Sequence, residues 1–177
     1  MIERIKIKNV VFNCGTYNDL EKRLIKSLDT KGINYYSCTK ELNLNNYKLQ
    51  FLNVDIYGNE NDDSLVIYLK YNDTKFLFMG DAGIEKEKDI LDKYNISDID
   101  VLKVGHHGSK TSSDKKFIDK IKPKYSIIRV GKNNRYGHPH KEVLNNLDNS
   151  KIYRTDQQGS VMIKVKNNNL KIKICPP

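Results

Sequence analysis

The sequence predicts a mixed α/β domain, and three observations predict it. Apolar runs of strand length alternate with segments whose apolar residues recur at helical spacing. The runs are bounded by Gly, Pro, Asn and Asp, the residues that turn a chain. No linker long enough to divide the 177 residues intervenes, so residues 1–177 read as one domain. A chain of that length can bury a real core, and helices alternating with strands pack outside sheets.

The elements follow in order. Ile5 to Phe12 reads as a strand through Ile5, Ile7, Val10, Val11 and Phe12. Leu20, Leu24, Ile25 and Leu28 recur on one face of a helix from about Asn18 to Lys31, with Gly32 placed to end it. Ile33 to Ser37 and Lys48 to Asp55, with Val54, return as strands. Ser64 to Gly80 is a hairpin: Leu65–Leu69 and Phe76–Met79 meet through Tyr71–Thr74, and their nearly continuous apolar character predicts cover on both faces. Gly83 to Tyr94 is a helix with Ile84, Ile90, Leu91 and Tyr94 inward, and Val101–Val104 a strand. Ser113 can cap a helix carrying Phe117, Ile118 and Ile121, stopped by Pro123. Tyr125–Val130 is a strand, and Pro139 suits the first turn of a helix with Val143, Leu144 and Leu147. Ile152–Tyr153, Ser160–Val165 and Leu170–Ile174 close the chain as strands.

Composition narrows the class. Charged residues are 30% and hydrophobic ones 38%, yet the latter are grouped in runs, so the chain is folded rather than disordered. No apolar stretch approaches bilayer length. The start, Met1–Lys6, lacks the apolar core of a signal peptide, which predicts a cytoplasmic chain. Cys14, Cys38 and Cys175 are odd in number and far apart, and predict free thiols in a reducing compartment. The net charge is +9, unevenly placed: residues 1–100 carry 14 Lys+Arg against 17 Asp+Glu, and residues 101–177 carry 17 against 5. Abundant Lys, Asn and Ile with a single Ala82 match an AT-rich coding sequence, but such a bias acts on both halves alike. The asymmetry therefore points to a polyanion near the C-terminal half.

Functional groups in α/β architectures gather at strand ends. Three loops fit: Gly80-Asp81, Gly105 to Ser109, and Lys132 to His140. They hold one Asp and all four histidines of the chain. Imidazole nitrogen and carboxylate oxygen suit borderline cations such as zinc or manganese. A carboxylate can bridge two cations, and a nearby imidazole can protonate a leaving oxygen. Singly, each feature has a plainer reading: Gly-Asp as a turn, His-His as a surface turn, Gly-His-Pro-His as a helix start.

Asn61-Asp62-Asp63-Ser64-Leu65-Val66, Phe76–Asp81, Leu102–Ser109 and Asn134–His140 occur in that order. Together they resemble the C-terminal portion of the metallo-β-lactamase-fold domain of ComEC-type DNA-uptake proteins and their soluble hydrolase relatives. The resemblance runs from about residue 45 to the end. It implies part of an αββα sandwich, and in the intact family a two-metal site for Zn or Mn. It implies Asp81 as bridging ligand and one of His106 and His107, with His107 favoured, as the late ligand. His138 would be the proton donor or phosphate contact, and Ser109, Lys110, Asn134, Tyr136 and His140 would be substrate contacts. Metal-dependent hydrolysis, of phosphodiesters and in connection with DNA uptake, would be the activity, with DNA or another phosphate-containing anion as partner. Relatives would be tethered to a membrane channel.

The departure is large. The family's HxHxDH or HxDxDH loop does not occur here, because the first histidine is His106. The chain therefore corresponds to the second half to two-thirds of the domain, as a truncated product, a fragment, or a subunit whose partner chain supplies the missing half. Two other readings stand beside hydrolysis of phosphodiesters: a non-catalytic remnant or basic nucleic-acid-binding module, and ester or lactone hydrolysis on the same scaffold.

Overall fold

The structure is a computed structural model that describes residues 5–44, 47–52 and 55–176. Strand β1 (Asn9–Phe12), helix α1 (Asp19–Thr30) and strand β2 (Asn34–Ser37) form a small βαβ unit with β1 and β2 parallel. Asn18 starts α1 with a full capping box: its side chain accepts from the Leu20 and Glu21 amides, and Glu21 accepts from the Asn18 amide. Cys14 and Cys38 form a disulfide, with Cα atoms 4.6 Å apart. Free thiols were the expectation from sequence spacing. The parallel register Phe12↔Ser37 corrects it, because it carries both cysteines out of the pair side by side. Cys175 is the free thiol.

The main sheet has seven strands in sequential order: β3 (Glu41–Leu44), β4 (Tyr47–Phe51), β5 (Ile67–Tyr71), β6 (Thr74–Phe78), β7 (Val101–Lys103), β8 (Tyr125–Ile128) and β9 (Lys151–Arg154). The strands from β3 to β6 are antiparallel, and those from β6 to β9 are parallel. The expected strand tail through Val54 lies partly outside the described residues. Helices α2 (Ile84–Lys93), α3 (Lys115–Ile121) and α4 (Lys141–Asn146) make the three crossovers. Crossovers of one hand, always stepping the same way across a sheet, land on the same face. The core forms there, from Leu77, Leu102, Ile90, Ile99, Phe117, Ile121, Ile128, Val143 and Leu147.

The hairpin β5–β6 was expected to be covered on both faces. Leu77 is fully buried on one face, and on the other Thr74 and Phe76 are buried while Phe78, at the strand end, is 38% exposed. Both faces of β6 are therefore covered along most of the strand, and the cover gives out only at its last residue. Two further expectations shift. Asp114, not Ser113, caps α3, since Ser113 sits at φ 60° and its amide is drawn elsewhere. Helix α4 starts at Lys141 with His140 as its cap, and Pro139 lies before it, joined to His138 by a cis bond. A short helix α5 (Thr155–Gln158) leads into an antiparallel ribbon, β10 (Ser160–Lys166) and β11 (Asn169–Cys175). Among the described residues no helix is long and apolar enough to cross a membrane.

Candidate functional site

Parallel strands β6, β7 and β8 end on the same edge of the sheet, so the loops that follow them meet there. Gly80 makes the first turn at φ +60°, and a Cβ added to it would lie 2.9 Å from the Ser64 Cβ. The small residue lets Ser64 Oγ accept the Asp81 amide at 3.0 Å. The His106 amide donates to the Gly80 carbonyl at 3.1 Å, which joins the first loop to the second. Gly105–Gly108 is a tight turn in which His106 (φ 42°, ψ 43°) and His107 (φ 55°, ψ 18°) are both left-handed. Each such residue costs about 1–2 kcal/mol, which the surrounding structure must supply.

That backbone separates the two imidazoles. His107 Nδ1 lies 2.7 Å from the Arg129 carbonyl oxygen. A carbonyl only accepts, so Nδ1 carries a proton, and the neutral tautomer this selects has its lone pair on Nε2. Nε2 lies 3.7 Å from Asp81 Oδ1. An imidazole that donates one N–H to a backbone carbonyl and turns its other nitrogen to a carboxylate has the orientation of a metal-ligating histidine. His106 points elsewhere: its Nδ1 is 3.3 Å from Thr111 Oγ1, and its ring meets His138 edge-on at 5.8 Å.

The third loop brings the other aromatic groups. His138 lies 5.0 Å from His140 and is stacked on Tyr136 at 5.6 Å, ring centre to ring centre. Burial first, and then the neighbouring imidazoles His140, His106 and His107, lower the His138 pKa. Asn134 is spent on the loop itself, accepting the His138 amide at 2.9 Å and donating to the His138 carbonyl at 2.7 Å. Ser109 is buried and its hydroxyl pairs with Thr111 Oγ1 at 3.0 Å. The Lys110 amide donates to His140 Nδ1 at 3.2 Å while the residue itself is exposed. Tyr136 is 60% exposed, with the Arg135 guanidinium over its ring.

Sequence reasoning missed the residues that brace these loops. Lys86 and Glu87, adjacent on α2, are each 1% exposed. Lys86 Nζ donates to the Ser64 carbonyl at 2.8 Å, and burial lowers its pKa against the pull of Asp63, Asp62 and Asp89. Glu87 accepts the Ser113 amide at 2.6 Å and the Asp114 amide at 2.9 Å. Burial raises its pKa to about 7, and the two amides oppose that rise. The α2 amides are gripped in return: Asp62 accepts from Gly83 at 2.7 Å, and the Thr111 carbonyl accepts from Ile84 at 2.9 Å. Lys103, half-buried on β7, reaches the Gly80 carbonyl at 3.3 Å. Burial lowers its pKa, Asp81 acts to raise it, and Arg129 adds to the lowering. One signal existed for Glu87: it stands three residues from both Ile84 and Ile90, on the apolar face.

Asp81 and His107 are thus a convergent donor pair. A closed zinc site takes three or four protein ligands. Among the described residues no group of three or more His, Cys, Asp or Glu is placed to hold a metal ion. The described donors therefore offer a cation two ligands, Asp81 and His107.

Residues 45–132 match the family described as Metallo-beta-lactamase superfamily, and the chain belongs to it. Within that superfamily its relatives are ComEC-type competence proteins. It is 39% identical over 122 residues to ComE operon protein 3 of Bacillus subtilis (strain 168), covering 68% of this chain and 16% of that protein. It is 32% identical over 116 residues to Recombination protein 2 of Haemophilus influenzae, covering 64% and 14%. It is 33% identical over 106 residues to Competence protein ComA of Neisseria gonorrhoeae, covering 58% and 15%. The chain thus spans about one sixth of the length of these curated relatives. A solved Thermotoga maritima structure, a putative Zn-dependent hydrolase of the metallo-beta-lactamase superfamily, aligns with TM-score 0.42 and 16% identity, over 82% of this chain and 70% of that one.

Proposed function

We propose that this chain is the C-terminal part of a metal-dependent phosphodiester hydrolase linked to DNA uptake. It supplies Asp81 and His107 to a centre that an HxHxDH segment completes, from the same polypeptide or from another chain. The observation that carries the reading is the His107 geometry: Nδ1 held by the Arg129 carbonyl, Nε2 turned to Asp81. Zinc or manganese, the cations that suit such donors, would supply Lewis acidity at phosphorus. This chain's own residues orient the substrate. His138, with His106 and His140 beside it, would contact a phosphoryl oxygen or hand a proton to the leaving group. Lys110 and Tyr136 offer an exposed charge and an exposed ring at the same edge.

The test measures zinc affinity by chelator competition, for the chain alone and for the chain mixed with a polypeptide carrying the HxHxDH segment. Weak binding alone, tightening in the mixture, and a loss on His107→Ala or Asp81→Ala larger than the about 10–100-fold that removal of an outer-shell partner costs are expected. Hydrolysis of bis(p-nitrophenyl) phosphate should appear only in the mixture and vanish with Asp81→Ala. Hydrolysis that persists in the Asp81→Ala mixture would sink the assignment. The net positive C-terminal half favours a second reading, a nucleic-acid-binding module without catalysis. Metal-independent DNA binding, with no hydrolysis even after complementation, would select it.

A further inference from the structure

The ribbon β10–β11 separates charge from apolar surface with the period of two that a strand imposes. Its register sets Lys164 opposite Lys171, Met162 opposite Lys173 and Lys166 opposite Asn169. Cross-strand partners share a face, so Lys164, Lys166, Lys171 and Lys173 lie together, and all four are exposed. The other face carries Val161, Ile163, Val165, Leu170, Ile172 and Ile174, all half-buried. Like charges directly opposite each other destabilise a ribbon, and Lys164 faces Lys171. No Asp or Glu follows Asp156 in the sequence to relieve them. Among the described residues none of the four lysines makes an ion pair.

The ribbon is also held in place. At its base Thr155 Oγ1 is hydrogen-bonded to both the amide and the carbonyl of Val130 at 2.8 Å, and at its tip Asn168 donates to Asp73 at 2.6 Å. Lys164, Lys166, Lys171, Asn167 and Asn169 line one groove at that tip. Residues two apart on a strand are spaced by about 6.8 Å, so the lysines form two short parallel rows of cations. A two-stranded ribbon is also a shape that the DNA major groove admits.

We propose that this lysine face docks the phosphodiester backbone of DNA. It deepens the phosphodiester reading above by locating the polyanion, and its test does not depend on catalysis. The probe is a fluorescein-labelled 24-base-pair duplex of arbitrary sequence, titrated with the full chain and followed by anisotropy from low to moderate salt. Each phosphate contact contributes about 0.9 to the slope of log K against log salt. The quadruple variant K164Q/K166Q/K171Q/K173Q is expected to bind at least about tenfold more weakly at fixed salt and to lose about three to four from that slope. A charge-matched control, K6Q/K8Q/K26Q/K31Q, removes the same net charge elsewhere and is expected to keep the slope. Circular dichroism melts establish that both variants fold. If the quadruple variant unfolds, the pair K164Q/K171Q, which relieves a repulsion, takes its place with an expected slope loss of about two.

An unchanged slope in the ribbon variant overturns the proposal, and so does an equal loss in the control. Binding to phosphatidylglycerol vesicles with none to the duplex overturns it as well. Absence of hydrolysis after complementation counts against the catalytic reading alone and leaves the anisotropy result standing.

Discussion

Replacing Glu87 with alanine is expected to destabilise the protein by about 2–5 kcal/mol at pH 5 and by less at pH 8. The first part follows from hydrogen bonds. Glu87 is the acceptor for the Ser113 and Asp114 amides. A buried amide left without an acceptor costs about 1–3 kcal/mol. The second part follows from titration. Burial raises the folded-state pKa of Glu87 from 4.5 to about 7. Between those values the folded state holds a proton that the unfolded state has lost, so wild-type stability falls as pH rises through that window. The integrated fall is about 3 kcal/mol. Alanine has no such slope, so the gap between variant and wild type narrows as pH rises. Urea unfolding at the two pH values measures both effects. Equal destabilisation at both pH values would refute the assigned protonation.

Gly108→Ala is expected to cost about 2–4 kcal/mol, from strain at positive φ and from overpacking. Gly108 has φ +82°, and a Cβ there would fall 2.6 Å from the Pro139 Cβ and 3.1 Å from its Cα. Neither atom is the end of a flexible chain, so the backbone of the third loop must move. The Gly108 carbonyl accepts the His140 amide at 2.9 Å, and that bond is the first casualty. At roughly 2–4 °C per kcal/mol for a chain of this size, the melting temperature should drop by roughly 4–16 °C. Gly137→Ala is the control, because Gly137 also has positive φ but nothing within 4 Å of its added Cβ. It should lose only about 1 kcal/mol. Similar losses in the two variants would show that contact with Pro139 is not what Gly108 serves.

The sheet was legible where the chain states it strongly. The apolar runs of β5, β6, β7 and β8 and the helices between them fall where periodicity puts them. Strand β3, Glu41–Leu44, was not legible, because two leucines among polar neighbours are a weak strand signal. The Cys14–Cys38 bond was hidden because its partners meet only through the register of β1 with β2. The candidate site was legible as a set of loops, since Asp81, His106, His107, His138 and His140 follow strands whose ends coincide. Which imidazole faces Asp81 was not legible in the residues themselves, and only the family resemblance favoured His107. That choice is made by two consecutive left-handed residues and by the Arg129 carbonyl, neither of which has a side-chain signature. Lys86 and Glu87 were passed over because charge on a helix ordinarily marks the solvent face.

These two neighbours grip different loops from one rigid element. Lys86 holds the Ser64 carbonyl, whose residue seats Asp81, and Glu87 holds the loop that follows His107. A displacement of α2 therefore carries both donors in the same direction. The 3.7 Å spacing of His107 and Asp81 is thereby tied to the one element that both loops share. One helix thus acts as a common anchor for the two loops, so that their relative placement is set by α2 rather than by each loop separately.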